Sequence, residues 1–408
     1  MNDGLKLKKF AMNKHRIARA ATFATCALFL AAVMSAAAED GVSADKIVFG
    51  QAAVLEGPAA ALGLGMRLGI KAAFDEVNAK GGVHGRKLEL VSLDDGYDPD
   101  RSVAQTKKLI EEEKVFALIG AVGTPTTTAT VPIARTAKVP FIGPFTGAQF
   151  LRDSTLENVI NVRAGYAAEA EAWVKHLTED LNIKDIAIFY QDDSFGRSGL
   201  DGVKKALARR EMELVAEGTF ERNTVAVKTA LVALRRAEPE AVVMVGPYKP
   251  CAEFIKLARK SNFNPVFVNI SFVGASALAQ ELGPDGEGVI VSQVVPFPWD
   301  TSVKAVAEYQ AAIKALDPRA DPDFVSLEGY LAGRLAIEAL IDAGSSPTRN
   351  AMIEIIKKIG TFDIGGLTMT FGPQKNEGLD QVFLTVIQRD GSFKAVEKLG
   401  TGGAGHGP

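Results

Sequence analysis

The sequence predicts an α/β protein built from two parallel-sheet lobes. Short apolar runs alternate with segments of helical period from Lys46 onward. That βα rhythm is repeated in two successive halves, the second starting after Arg163. The runs end in glycines and small hydroxyl residues, as the carboxyl ends of parallel strands do where open sheets hold ligands.

In the first half, Lys46–Ala53 reads as a strand, Gly57-Pro58 as a turn and Leu64–Asn78 as an amphipathic helix ended by Gly81, Gly82 and Gly85. Leu88–Leu93 is the next strand. Asp98 suits a helix N-cap and Pro99 the first position of the helix 101–113. Short strands follow at Val115–Gly120, Pro140–Gly143 and Val159–Val162.

The second half predicts helices over 168–181, 198–210, 226–237 and 252–261. Its strands are predicted over 186–190, 213–219, 241–246, 266–270 and 288–295. Beyond the Pro-rich stretch Pro296-Phe297-Pro298, which reads as a crossing between lobes, come helices over 303–316, 324–343 and 349–358. Strand signals at 367–371, 382–388 and 393–396 close the pattern. The late helices bring too few strands for a third lobe and are expected to cover the first. The Gly-rich tail 400–408 is expected to be disordered.

The chain has 408 residues, enough for two or three domains, with 47% hydrophobic and 23% charged residues. A net charge of −3 gives no reason to expect nucleic acid or an anionic membrane surface as partner. The N-terminus is a separate object. Lys6, Lys8, Lys9, Lys14, Arg16 and Arg19 form a basic region, Ala20–Met34 an apolar run, and Ala36-Ala37-Ala38 a cleavage site before Glu39. Residues 1–38 therefore read as a secretory signal peptide, and the mature protein is expected in the periplasm. With Cys26 lost, Cys251 is left alone, so no intrachain disulfide is expected and Cys251 reads as a buried structural thiol.

Several patterns could carry chemistry. Gly63, Gly65 and Gly69 have the wrong spacing for a dinucleotide loop and read as a helix-start loop with glycines for close packing. Asp94-Asp95 with Asp98 and Asp100 read as strand-end and capping residues; no metal is expected. No nucleophile–base set is present, so the protein is not read as an enzyme, and no cofactor is implied. The sharper signal is Gly123-Thr124-Pro125-Thr126-Thr127-Thr128. With Thr124 as N-cap and Pro125 as first helical residue, first-turn amides and the hydroxyls of Thr124 and Thr126 would face the strand end and attract a carboxylate. A second exposed loop, Gly143–Gly147, follows one strand later. Tyr166, Phe195 and Tyr248 sit at strand tips or first helical turns of the second half, where together they could form an apolar wall opposite.

These residues resemble a family: type I periplasmic solute-binding proteins of ABC transporters, the leucine/isoleucine/valine-binding group. The resemblance covers about 45–398 and rests on Glu56-Gly57-Pro58, Asn78–Arg86, Asp94-Asp95 with Asp98-Pro99, the Gly120 loop, Val139–Ile142 and Asp193-Ser194-Phe195-Gly196. It implies two doubly wound parallel-sheet lobes joined by a three-strand hinge and closing on a ligand. Lobe 1 would take 45–161 and 297–378, and lobe 2 162–296 and 379–399. It further implies that Thr124 holds the ligand carboxylate, assisted by Phe145, Thr146 and Gly147, and that Phe195 and Tyr248 cover the ligand. The chain departs from the pattern twice. Ser271 stands where branched-chain amino-acid binders present an acidic residue to the ligand ammonium, and Leu62 where they place an aromatic. A neutral hydroxyl cannot offset a desolvated ammonium as a carboxylate does, so the ligand need not be an α-amino acid. An amino acid, amide or organic acid is expected, passed by a monomer to ABC transporter permease subunits. The alternative is an exported sensor of the same fold that signals to a receptor or kinase.

Overall fold

A computed structural model describes residues 39–400; the expected signal peptide, Cys26 and nearly all of the Gly-rich tail lie outside them. The first sheet runs in the order β2-β1-β3-β4-β5. Its strands are β1 (Lys46–Ala53), β2 (Lys87–Asp94), β3 (Ala117–Ile119), β4 (Phe141–Ile142) and β5 (Val159–Ile160). Every neighbouring pair is parallel. The crossovers are α1 (Ala60–Ala79), α2 (Pro99–Glu111) and α3 (Thr124–Thr136). Inner β1 is buried on both faces through its second half, whereas edge strand β2 begins with exposed Lys87 and Glu89 flanking buried Leu88. Burial on both faces explains why the inner runs carry no polar alternation.

The second sheet runs in the order β14-β13-β10-β9-β8-β6-β7. β6 (Ile186–Gln191) and β8 (Ala241–Val245) are buried throughout. β7 (Ala216–Phe220), β9 (Val266–Asn269) and β10 (Ile290–Gln293) complete the parallel part. Its helices are α4 (Tyr166–Glu179), α5 (Ser194–Ala208), α6 (Lys228–Arg236), α7 (Tyr248–Lys260) and α8 (Ala275–Leu282). β13 (Phe383–Ile387) and β14 (Phe393–Val396) add to it antiparallel, so this sheet is mixed where the sequence pattern predicted a parallel one. The physical reason is the connection: the five residues 388–392, turning at Asp390-Gly391, are too few for a parallel crossover and can only join antiparallel strands.

Other differences are local. α1 starts at Ala60, so Gly63 and Gly65 lie inside the helix and not in a loop before it. The close-packing part of that reading holds: a Cβ on Gly69 would meet the Ser326 carbonyl oxygen at 1.8 Å. The short helix α8 and the strand β11 (Thr361–Ile364) escaped the sequence pattern. β11 pairs with β12 (Leu367–Thr370) across Gly365-Gly366, both at positive φ as a tight hairpin turn requires.

The late helices are α9 (Lys304–Leu316), α10 (Phe324–Ala343) and α11 (Arg349–Ile359). Fifteen of the twenty residues of α10 are buried, and it lies against α1 beside the first sheet. Three segments pass between the sheets: 161–165, 294–303 and 371–382. The first and third run side by side, with Asn161 N–H donating to Asn376 O at 2.7 Å and Leu379 N–H to Val162 O at 2.9 Å. The second is fixed by Trp299, whose ring lies 5.6 Å from Phe324 and 5.7 Å from Phe393.

Candidate ligand cleft

Strand order reverses between β1 and β3 in the first sheet and between β6 and β8 in the second. Loops leaving adjacent strands diverge there and leave a crevice at the strand ends. The predicted residues all follow such ends.

After β3, Gly123 has φ +103, and a Cβ there would stand 2.2 Å from Tyr97 Cε2, so only glycine fits. Gly123, not Thr124, is the N-cap of α3; Thr124 is its first residue and Pro125 its second. The loops after β3 and β4 are zipped together, with Phe145 N–H donating to Ala121 O at 2.7 Å and Gly123 N–H to Phe145 O at 3.2 Å. This pairing brings Thr124 Oγ1 to 2.7 Å from Thr146 Oγ1. Thr146 in turn donates to the Tyr166 hydroxyl at 3.2 Å. Thr126 does not join them: its hydroxyl bonds back to the Val122 and Gly123 carbonyls. Helical threonines reach the preceding turn in this way. Gly147 makes the junction to α4 possible, since its carbonyl accepts from Tyr166 N–H at 2.7 Å and a Cβ would lie 2.4 Å from Tyr166 Cδ1.

Facing this group is an aromatic wall. Tyr166 and Phe195 have ring centroids 5.5 Å apart, and Phe272 joins Phe195 at 4.5 Å and Phe145 at 5.2 Å. Phe272 was not singled out from the sequence, although it follows Ser271 at the tip of β9 and the strand-end rule could have found it. Tyr248 is not part of this wall. It stands at the rim, where its hydroxyl accepts from Ala61 N–H at 3.4 Å. Leu62 is its neighbour there: a Cβ on Gly274 would fall 2.6 Å from Leu62 Cδ2 and 3.8 Å from Tyr248 Cδ1. A cavity of about 210 Å³ opens at this rim, lined by Ala61, Leu62 and Val325 on one side and Gly274, Ala277 and Gln280 on the other. It is crossed by a hydrogen bond of 2.6 Å from Ser276 Oγ to Asp323.

Ser271 lies in a charged cluster that no local sequence pattern announces. Arg163, on the first crossing segment, is fully buried. Its Nη2 donates to Glu169 Oε1 at 2.9 Å and to Ser271 Oγ. Glu169 also accepts from Ser271 N–H and Oγ, each at 2.9 Å, and from Ser292 Oγ at 2.5 Å. Arg163 Nη1 lies 3.7 Å from Glu328 Oε2, while Nη1 and Nε make no hydrogen bond. The guanidinium carbon is 5.2 Å from the centre of the Phe145 ring and 5.6 Å from that of Tyr166. Burial alone would lower the Arg163 pKa, but Glu328 and Glu169 outweigh it and hold it above the ordinary value. Burial pushes the Glu328 carboxyl up to about 7, against the pull of Arg163.

The remaining candidates are structural. Asp94 accepts from Leu55 N–H at 2.7 Å and Glu56 N–H at 3.0 Å, and Asp95 from Ser102 Oγ at 2.7 Å. Among the described residues no three His, Cys, Asp or Glu side chains gather as a metal site. Cys251 is buried, and burial alone pushes its thiol pKa far up. Among the described residues no helix is long and apolar enough to cross a membrane.

Residues 46–392 match the family model described as periplasmic binding protein. The Leu/Ile/Val-binding protein homolog 7 of Brucella abortus is 26% identical over 81% of this chain and 82% of its own. The leucine-specific-binding protein of Salmonella typhimurium is 24% identical over 85% and 90%. A crystal structure of a possible leucine/isoleucine/valine-binding protein from Rhodopirellula baltica superposes with a TM-score of 0.82 at 40% identity, covering 89% of this chain and 98% of that one.

Proposed function

The chain belongs to the periplasmic binding protein family, in its leucine/isoleucine/valine-binding group, and from that premise we propose that it captures a small carboxylate-bearing or polar solute between its lobes and delivers it to the permease subunits of an ABC transporter. The observation that carries this is the run of hydroxyls from Thr124 through Thr146 to Tyr166. It is set at the start of α3, where unpaired amides and the helix dipole favour an anion. The relatives named for leucine bind a molecule with such a carboxylate, which supports the class but leaves its other end open. Thr124, Thr146, Phe145 and Gly147 would form one wall, Tyr166, Phe195 and Ser271 the other, with Leu62 and Tyr248 at the rim. Lobe 1 would comprise 45–161 and 297–378, lobe 2 162–296 and 379–399. Capture would work by closure, the solute shifting the balance toward the form in which the walls meet.

The protein would act in the periplasm as a monomer after removal of residues 1–38, which N-terminal sequencing of the exported protein checks. Native mass spectrometry of protein purified without added solute is expected to show a bound small acid, amino acid or amide. Thr124→Val is expected to weaken its binding about tenfold, the value of one charge-assisted hydrogen bond. A protein that carries no solute and whose melting temperature no acid, amide or amino acid shifts would overturn the reading.

A further inference from the structure

A buried arginine normally spends its N–H groups: it offers five donors and cannot shed its charge. Arg163 is fully buried, yet only its Nη2 is hydrogen-bonded; Nε and Nη1 make no hydrogen bond, and Nη1 has only the looser ion pair with Glu328. Glu169 cannot serve them, because Arg163 Nη2, the Ser271 amide and hydroxyl and the Ser292 hydroxyl already occupy it. Glu328 stands too far away, at 3.7 Å, for a hydrogen bond. The guanidinium lies over Phe145 and Tyr166, the same two rings that border the Thr124–Thr146 hydroxyls. A cation with donors free of hydrogen bonds thus lies over the ring whose hydroxyl accepts from Thr146, beside a neutral hydroxyl group suited to a carboxylate.

We propose that Arg163 is a second anion subsite of the cleft and that the solute is a short diacid, with one carboxylate at the Thr124 and Thr146 hydroxyls and the other at Nε and Nη1 of Arg163. This rests on the solute-capture reading above. The second carboxylate takes the place beside Nη1 that Glu328 holds loosely, and a Glu328 carboxyl already close to neutrality yields it by taking up a proton. The charged groups around Glu328 are Arg163, Glu169 and Arg152.

Titration calorimetry of the exported mature protein with glutarate, butyrate and L-leucine tests this. Glutarate is expected to bind about tenfold or more tighter than butyrate, a margin typical of one buried ion pair. Arg163→Gln is expected to bring glutarate to within about threefold of butyrate; Arg163→Lys keeps part of the preference. The diacid preference of the wild-type protein is readable even if a variant fails to fold. Equal binding of glutarate and butyrate, or equal loss of both in a folded Arg163→Gln variant, overturns the diacid assignment. Leucine binding without glutarate binding overturns it too, but leaves solute capture standing. A co-purifying solute with a single acid group does the same.

Discussion

The two ends of the cleft are built in opposite ways. At one end, Thr124, Thr146 and Tyr166 offer hydroxyls on the tips of consecutive strands, with no charge among them. At the other, Arg163, Glu169 and Glu328 bring three ionisable groups together at almost complete burial. Hydroxyls tolerate an empty cleft because each can satisfy a neighbour. Buried charges cannot: each needs a counter-charge and donors whether or not a solute is present. On the proposed reading the neutral end would serve binding alone, whereas the charged end would also have to keep its buried charges in balance.

That contrast can be broken experimentally, and the largest effect should come from the charged end. Glu169→Ala leaves Arg163 buried beside Glu328 alone and is expected to cost about 3–5 kcal/mol in urea unfolding. A loss below about 1 kcal/mol would show that the cluster is solvated, contrary to its burial.

The next effect is on pH. The Glu328 carboxyl titrates near 7 when folded, above its unfolded range, so the folded state binds the extra proton. Its contribution to stability is present in full below about pH 4 and is lost as pH rises toward 7, a change of about 3 kcal/mol. Glu328→Gln should flatten that part of the stability–pH curve. A variant curve parallel to wild type between pH 4 and 7 would assign the slope to other groups.

Effects at the neutral end should be smaller and confined to binding. Removing the Thr124 hydroxyl should weaken solute binding about tenfold while moving stability by less than about 1 kcal/mol. Smallest of all, Thr128→Val should change affinity less than about twofold, because that hydroxyl is bonded to the Thr124 carbonyl and the residue is exposed one turn further along the helix. A Thr128 effect equal to that of Thr124 would mean that the start of α3, and not one hydroxyl, decides binding.

The same contrast separates what was legible in the sequence. The neutral end follows from local rules: a strand run, a glycine, a helix start with proline in its first turn. Those rules placed Thr124, Thr146 and Gly147 at strand ends, with an error of one residue in the cap. They also predicted Asp98 as a cap, which accepts from Asp100 and Arg101 N–H. They misjudged Thr126, because whether a threonine hydroxyl turns outward or back onto its own helix depends on side-chain rotamer. Glycines inside α1 looked like a loop, since local propensity cannot see that Val54 presses against Gly63 and α10 against Gly65 and Gly69. The mixed end of the second sheet was hidden for a related reason: pairing direction is settled by which strand lies alongside, and β13 meets β10 from far along the chain.

By itself, the sequence determined the two α/β halves, the strand tips and the hydroxyl residues Thr124 and Thr146 that follow them, because each depends on residues within about one turn or strand of one another. Only the tertiary structure decided the charged end. Arg163, Glu169, Ser271, Ser292 and Glu328 come from a crossing segment, a helix start, two strand regions and a late helix, and no periodicity links them. It likewise decided that Phe272 belongs to the wall and Tyr248 to the rim. Charges and rings so far apart in sequence meet only when folding removes water between them, and burial is what gives the unspent donors of Arg163 their meaning.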